Sequence, residues 1–307
     1  MKVTPIAREL AQPGRKVCLA IGVFDGIHLG HQQIIRQTVA DARQHEALAI
    51  VVTFDRHPNA IVAPEHVPPQ IFTRSQKMRA VASLGVAGFL EIPFDREFSR
   101  KSGEEFIREL ARDLGHIHSV CVGADFVFGR QRSGNVALLR QLGGELHFQV
   151  HGLAAVALDG QTVSSTRIRE AIRTGDLDAA SQMLGQPYTL CGRVVTGDQL
   201  GRQLGFPTAN LDVPGLILPP NGVYAATTVV GGQRHRVALN IGLRPTVAAS
   251  QPKLRVEAHL LDFNGDLYGT ELEVEIGTRL REERHFGSVD ELKGQLERDV
   301  QAVRAES

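Results

Sequence analysis

The chain has 307 residues, enough for one large domain or two medium ones, and 42% hydrophobic against 22% charged residues is a globular composition. Lys plus Arg and Asp plus Glu both number 34, so no charge excess points to nucleic acid or an anionic membrane, and the absence of Trp argues against stacking platforms for single strands. Cys18, Cys121 and Cys191 are odd in number and lie in apolar runs, which predicts reduced core thiols in a cytoplasmic protein rather than a disulfide frame or a metal site; no apolar run reaches membrane length, and the start at Met1 lacks a signal-peptide core.

The first predicted element is a buried strand over Val17 to Ile21. A glycine turn follows, Gly22-Val23-Phe24-Asp25-Gly26-Ile27-His28-Leu29-Gly30-His31, and then a helix from Gln32 to Gln44, in which Ile34, Ile35, Thr38, Val39 and Ala42 recur at helical spacing. Helix starts carry unpaired N–H groups and the positive end of the dipole, so two imidazoles three residues apart at this mouth suit phosphate. The plainer reading is a turn with solvated histidines; the pair, with three glycines and a preceding first strand, favours the anion site.

Further strands are predicted over Ala47 to Phe54, Gly88 to Phe94, Ser119 to Gly123 and near Leu146 to Leu153, separated by helices with capping boxes at Thr73-Arg74-Ser75-Gln76 and Ser102-Gly103-Glu104-Glu105. Strands alternating with helices imply parallel crossovers and a doubly wound α/β sheet. Asp55 and His57 leave the second strand at its carboxyl end, where open sheets bind ligands, although either residue serves equally as a loop cap. Asp125-Phe126-Val127-Phe128-Gly129 precedes a basic segment, Arg130 to Gly134, expected to be mobile. Val163-Ser164-Ser165-Thr166-Arg167-Ile168-Arg169 then opens a helix. One hydroxyl there is an ordinary cap; three with Arg167 and Arg169 suggest a second anion cradle.

One more helix, Asp176 to Leu184, leads to Gly185-Gln186-Pro187, the expected domain boundary, dividing the chain into 1–185 and 186–307. Beyond it, short strands at Leu190 to Val195, Gly222 to Val230, Arg236 to Ile241, Leu254 to Leu261 and Leu272 to Ile276, with hairpin signals at Gly231-Gly232 and Asn264-Gly265, predict a small antiparallel barrel or sandwich. A terminal helix capped by Ser288 is expected to bury Val289, Leu292, Leu296, Val300 and Val303.

Two stretches of this second half carry chemistry. In Gly197 to Asn210 the glycines let backbone amides approach phosphates, and Thr208 and Asn210, one residue apart, share a face if extended; hydroxyl and carboxamide oxygens suit Mg²⁺, though Asn210 alone would pass for a turn residue. In Leu254 to Asp262, Glu257 and His259 alternate with apolar residues, either as a solvent face or as a carboxylate base for a hydroxyl nucleophile with its neighbour. The sequence has no P-loop, no G-x-G-x-x-G, no zinc-spaced Cys/His cluster and no nucleophile elbow.

Gly22 to His31 resembles the G-x-F-D-G-x-H-x-G-H signature of nucleotidyltransferases. With Val163 to Arg169 and Gly205-Phe206-Pro207-Thr208-Ala209-Asn210, and with Phe94 to Phe98, Asn240-Ile241-Gly242, Asp266 to Gly269 and Arg281 to Phe286, the chain resembles the bacterial bifunctional riboflavin kinase/FAD synthetases nearly end to end. The resemblance implies a Rossmann-like adenylyltransferase domain, which joins AMP from ATP to FMN to give FAD and pyrophosphate. It also implies a C-terminal β-barrel that phosphorylates riboflavin to FMN. By the same resemblance, His28 and His31 act on the ATP phosphates. Gly22, Phe24, Asp25, Gly30, Ser164, Thr166 and Arg169 complete that nucleotide site, and Phe54, Asp125 and Arg281 contact flavin or nucleotide. In the kinase, Gly205, Pro207, Thr208 and Asn210 bind ATP, Thr208 and Asn210 hold Mg²⁺, and Glu257 is the base. Arg56 stands where the family often has Pro, and Val127 where many members have Arg. The implied partners are these small molecules, with no nucleic acid and no membrane; a homo-oligomer is left open. A non-catalytic flavin carrier is disfavoured because His31, Asn210 and Glu257 are all present, and a nucleotidyltransferase for another acceptor because of the second domain.

Overall fold

The structure is a computed structural model that describes residues 1–197, 200–244 and 253–306; Asp198 and Gln199 of the glycine-rich stretch lie outside the described residues. The chain divides into two compact units. One comprises residues 1–70 and 74–165, the other 71–73 and 166–307.

The first unit holds a parallel sheet built from β1 (Lys2–Thr4), β2 (Val17–Ile21), β3 (Leu48–Phe54), β4 (Gly88–Ile92), β5 (Ile117–Gly123) and, after the two-residue strands β6 (Val127–Phe128) and β7 (Gly134–Asn135), β8 (Gln149–Leu153). A short hairpin, β9 (Ala157–Leu158) with β10 (Gln161–Thr162), ends it. The sheet order is β1-β4-β3-β2-β5-β8. All five residues of β2 are buried, as a strand covered on both faces requires. From β2 the chain runs outward through β3 and β4 on one side, then returns to place β5 and β8 on the other. The order therefore reverses between β2 and β5, and the crevice at the carboxyl end of β2 is the switch point where such sheets bind ligands. Edge strand β1 carries no sequence signal; it is three residues long and is added by parallel pairing to β4.

The helices are α1 (Leu29–Gln44), α2 (Asn59–Val62), α3 (Arg74–Ser83), α4 (Gly103–Leu114), α5 (Val136–Leu146), α6 (Ser165–Thr174), α7 (Leu177–Leu184), α8 (Leu200–Gln203) and α9 (Val289–Ala305). Helix α1 packs on β2, β3 and β5. Leu146, expected in a strand, ends α5 instead; left-handed His147 stops the helix and β8 begins two residues later. The capping box at Ser102 is present, with the Ser102 hydroxyl and the Glu105 carboxylate each receiving the other's backbone N–H. The Arg130 to Gly134 segment lies against this cap. Arg130 N–H donates to Lys101 O at 2.8 Å and Gly103 N–H to Ser133 Oγ at 3.0 Å.

The second unit is a closed barrel of β11 (Thr189–Val195), β12 (Ala209–Asp212), β13 (Gly222–Val230), β14 (Gln233–Arg244), β15 (Lys253–Leu260) and β16 (Glu271–Arg281), in the order β11-β12-β15-β14-β13-β16 with every pairing antiparallel. Closure removes the free edges that a sandwich would leave. Gly231 and Gly232, both at positive φ, make the β13–β14 hairpin turn. Strand β12, in the glycine-rich stretch, was not separable by pattern because it has only four residues. The terminal helix corrects an expectation: Val289 is 60% exposed, and of α9 only Gln295, Asp299 and Val303 are fully buried. Two polar residues can face inward because Asp299 accepts from Arg281 Nε at 2.9 Å and Nη2 at 2.7 Å, and from Gln295 Nε2 at 2.7 Å. Cys18, Cys121 and Cys191 are buried and form no disulfide among the described residues. Among the described residues no helix is long and apolar enough to cross a membrane.

Candidate functional site

At the switch point, the turn after β2 is strained. Phe24 has φ +53° and Ile27 φ +41°, both in the left-handed region, costs that persist at functional sites when packing over-determines them. Phe24 and Ile27 are 1% and 3% exposed, so their side chains are anchored in the core. Asp25 is also buried, and its carbonyl accepts from the Ser165 hydroxyl at 3.0 Å. His28 is the N-cap of α1, its Nδ1 accepting from His31 N–H at 3.4 Å. The two rings stack with centroids 3.6 Å apart and planes at 21°, and the Phe24 ring meets His31 edge-on at 5.2 Å. A Cβ at Gly30 would lie 3.2 Å from the His28 ring and crowd this stack.

The stack sets the charge. Burial first, then the adjacent His28 and Lys77, push the His31 imidazole well below its ordinary value, so at neutral pH it is uncharged. Its Nδ1 is buried and has no hydrogen-bond partner among the described residues. A polar atom in that condition beside free helix N–H groups is a place for an anionic oxygen. Lys77, on α3, was not signalled by the sequence, where it is one cation on an ordinary helix. Its ammonium donates to Val23 O at 3.1 Å, and Thr53 Oγ1 donates to the same carbonyl at 3.0 Å.

Of the other residues expected here, Ser164 belongs to the first unit, while Thr166 and Arg169 fall in the second. Asp125 is exposed in the loop after β5. Phe54, at the carboxyl end of β3, begins a run of ring contacts through Phe94, Phe98, Phe106 and Phe128 with successive centroids 5.3 to 6.2 Å apart. Arg56 pairs with Asp55 at 2.8 Å.

The barrel holds a cavity of about 360 Å³. Its wall is one transverse row of residues in register: Asn210 faces Glu257, Glu257 faces Asn240, Asn240 faces Val223, and Val223 faces Arg281. All five line the cavity. Strand alternation explains the selection, since Val256, Ala258 and Leu260 are buried while Arg255, Glu257 and His259 line the cavity. Glu257 thus belongs to a cavity wall and not to an open solvent face. The Arg255 guanidinium lies 3.5 Å from it. The His259 ring nitrogen Nδ1 is 2.7 Å from Pro207 O; because the carbonyl only accepts, that nitrogen carries the proton, and the bond fixes the backbone just before Thr208. Gly197 leaves room for Asn210, whose side chain would lie 2.3 Å from a Cβ at that position. Arg281 is spent on α9: besides the Asp299 pair, its Nη1 donates to Glu282 O. Sequence reasoning missed Asn240 and Arg255, whose place in the row only strand register defines.

A second cavity of about 500 Å³ lies on the other side of Thr208, lined by Pro207, Phe263, Asn264, Leu267 and Tyr268 among others; Thr208 lines both. Among the described residues no group of three or more His, Cys, Asp or Glu could hold a metal. The oxygens of Thr208 and Asn210 nonetheless fit Mg²⁺, which keeps several waters and takes few protein ligands when it rides on phosphates.

Two family models match the chain: FAD synthetase over residues 11–167 and riboflavin kinase over residues 184–306. The bifunctional riboflavin kinase/FMN adenylyltransferase of Escherichia coli strain K12 is 36% identical over 306 residues, covering 99% of this chain and 97% of that protein. Its counterpart in Pseudomonas fluorescens is 38% identical over 295 residues, covering 96% and 94%. A solved structure described as a macrolide-efflux protein from Streptococcus pneumoniae aligns with a TM-score of 0.84 at 28% identity, over 100% of this chain and 99% of that one. The chain belongs to the family of bacterial bifunctional riboflavin kinases/FAD synthetases.

Proposed function

We infer that the chain makes FAD in two steps, phosphorylating riboflavin with ATP and then transferring AMP from a second ATP to the FMN formed, with pyrophosphate as the other product. The observation that carries this reading is the separation of two chemistries. One site gathers two stacked imidazoles at a helix N-terminus, and the other places a carboxylate in a row between two side-chain amides.

In the barrel, Glu257 would take the proton of the ribityl hydroxyl as its oxygen attacks the γ-phosphorus of ATP, and ADP leaves. Asn210 and Asn240 flank Glu257 in the row and would orient that hydroxyl. Thr208, shared by both cavities, marks the line of transfer, with flavin on the Glu257 side and nucleotide on the Tyr268 side; Gly205 and Pro207 belong to the nucleotide loop. Thr208 and Asn210 would hold Mg²⁺, which neutralises phosphate charge when bound. Arg281 would contact flavin while anchored by Asp299.

In the parallel-sheet unit, the FMN phosphate is already an anionic nucleophile, so attack on the α-phosphorus of ATP needs positioning and charge stabilisation rather than a base. His28 and His31 would act on the phosphates there, supported by the unpaired His31 Nδ1. Gly22, Phe24, Asp25 and Gly30 shape the turn. Ser164 would complete the nucleotide site, with Phe54 and Asp125 on the flavin side, and by the family motif Thr166 and Arg169 would bind nucleotide. The functional division is proposed at residue 185, close to the start of the kinase match. Three buried thiols outside any disulfide support a cytoplasmic setting.

A chromatographic time course with riboflavin, ATP and Mg²⁺ tests the reading. FMN should appear first and FAD after it. Binding of flavin without turnover would overturn it in favour of a carrier.

A further inference from the structure

We propose that Lys77 is a further catalytic residue of the adenylyl-transfer site, its ammonium engaging the phosphates of ATP while one N–H braces the turn at Val23. This rests on the reading of the first unit as the adenylyltransferase.

Three observations lead there. First, Lys77 reaches the turn from 54 residues away in sequence, on α3, and its Nζ bonds the carbonyl one residue before Phe24, at the start of the strained loop. Second, the brace alone does not require it. Thr53 already donates to the same carbonyl from the neighbouring strand, so the turn keeps a buried partner without the lysine. A half-buried ammonium is a costly way to add a second donor to a satisfied carbonyl. Third, Lys77 has no carboxylate within ion-pair distance among the described residues. Asp25 and Glu91 attract it only at longer range, against burial, which disfavours its charge. Lys2 and Lys101, by contrast, each sit against a glutamate.

The mouth supplies the reason to keep such a charge. The buried His31 imidazole has its charge suppressed and helix N–H groups carry only partial charge, whereas a nucleoside triphosphate brings several negative ones. Lys77 is electrostatically coupled to His31 and keeps two N–H donors beyond the one given to Val23. As the bond between the α- and β-phosphates breaks and electrons pass to the departing pyrophosphate, an ammonium at this place would stabilise the growing charge.

The test compares K77M, K77Q and K77R in the full chain, with riboflavin kinase activity of the same preparation as the folding control. FMN adenylylation and the reverse reaction with pyrophosphate are both followed. Glutamine keeps a donor for Val23 and drops the charge, so K77Q separates the two roles. The expected result is a ~10²–10³-fold fall in kcat/KM for FAD formation in K77M and K77Q. The KM for pyrophosphate should rise, K77R should recover part of the loss, and kinase activity should be unchanged. Wild-type adenylylation in K77Q would overturn the proposal and leave Lys77 a brace, as would loss in K77M fully restored in K77Q. If K77M fails to fold, K77Q against K77R decides. Failure of the wild-type chain to convert FMN would instead overturn the adenylyltransferase reading itself.

Discussion

The two candidate sites solve phosphate chemistry with opposite materials. The mouth at the end of β2 is made of backbone and stacked rings with one lysine beside them, held by buried residues out of the favoured φ range. The barrel cavity is made of side chains that strand register sets in a row, with relaxed backbone and a carboxylate at the centre. The difference follows from the nucleophile. A phosphate oxygen is already ionised and needs a place to be held, while a sugar hydroxyl must lose a proton. A site for the first can do without a base, and a site for the second cannot.

The sharpest way to break this contrast is Glu257→Gln, which keeps the size and amide row but removes the base. FMN formation should fall ~10²–10⁴-fold while FAD formation from supplied FMN is unchanged, as read by separate steady-state assays. His31→Ala should do the reverse, lowering FAD formation ~10²–10³-fold with kinase rates intact. If either change abolishes both activities in a folded chain, the two sites are not independent.

Asp299→Ala probes how the barrel cavity is held shut. It leaves the Arg281 guanidinium half-buried without its carboxylate, which should cost about 3–5 kcal/mol of barrel stability in denaturant unfolding, and should raise the KM for riboflavin. An unchanged midpoint would mean that α9 is held by Val303 and its apolar neighbours alone.

The smallest effect concerns pH. His31 has its protonation depressed by burial in the folded chain but titrates near ~6.5 when unfolded, so the unfolded chain takes up the proton first. This contribution to stability is complete above ~6.5 and is lost as pH falls below it. Comparing unfolding midpoints of the wild type and His31→Asn from pH 8 to 5.5 should show a shallower decline for the variant. Parallel curves would mean that His31 is not depressed, and that the neutral-ring description of the mouth is wrong.

Much of this was legible in the chain. Alternating strands and helices, the glycine turn after the first strand, and the two-residue spacing of Thr208–Asn210 and Glu257–His259 are local patterns. Local sterics and side-chain period decide them, so the parallel sheet, the place of His28 and His31 and the shared face of Glu257 and His259 could be read without coordinates, whereas only the folded barrel shows that this face lines a cavity. Tertiary structure decided what depends on distant partners. Lys77 joins the mouth only because α3 packs beside the Val23 turn, and Asn240 joins the Glu257 row only because β14 pairs with β15 in one register. Gln295 and Asp299 can sit inward on α9 beside Val303 because Arg281, on another strand, meets Asp299, and the Arg130 to Gly134 segment lies against Lys101 and Gly103 because they bond it. A residue's neighbours in sequence fix its backbone preference, but the energy of a buried charge or an unpaired donor depends on groups that only the folded chain brings within reach.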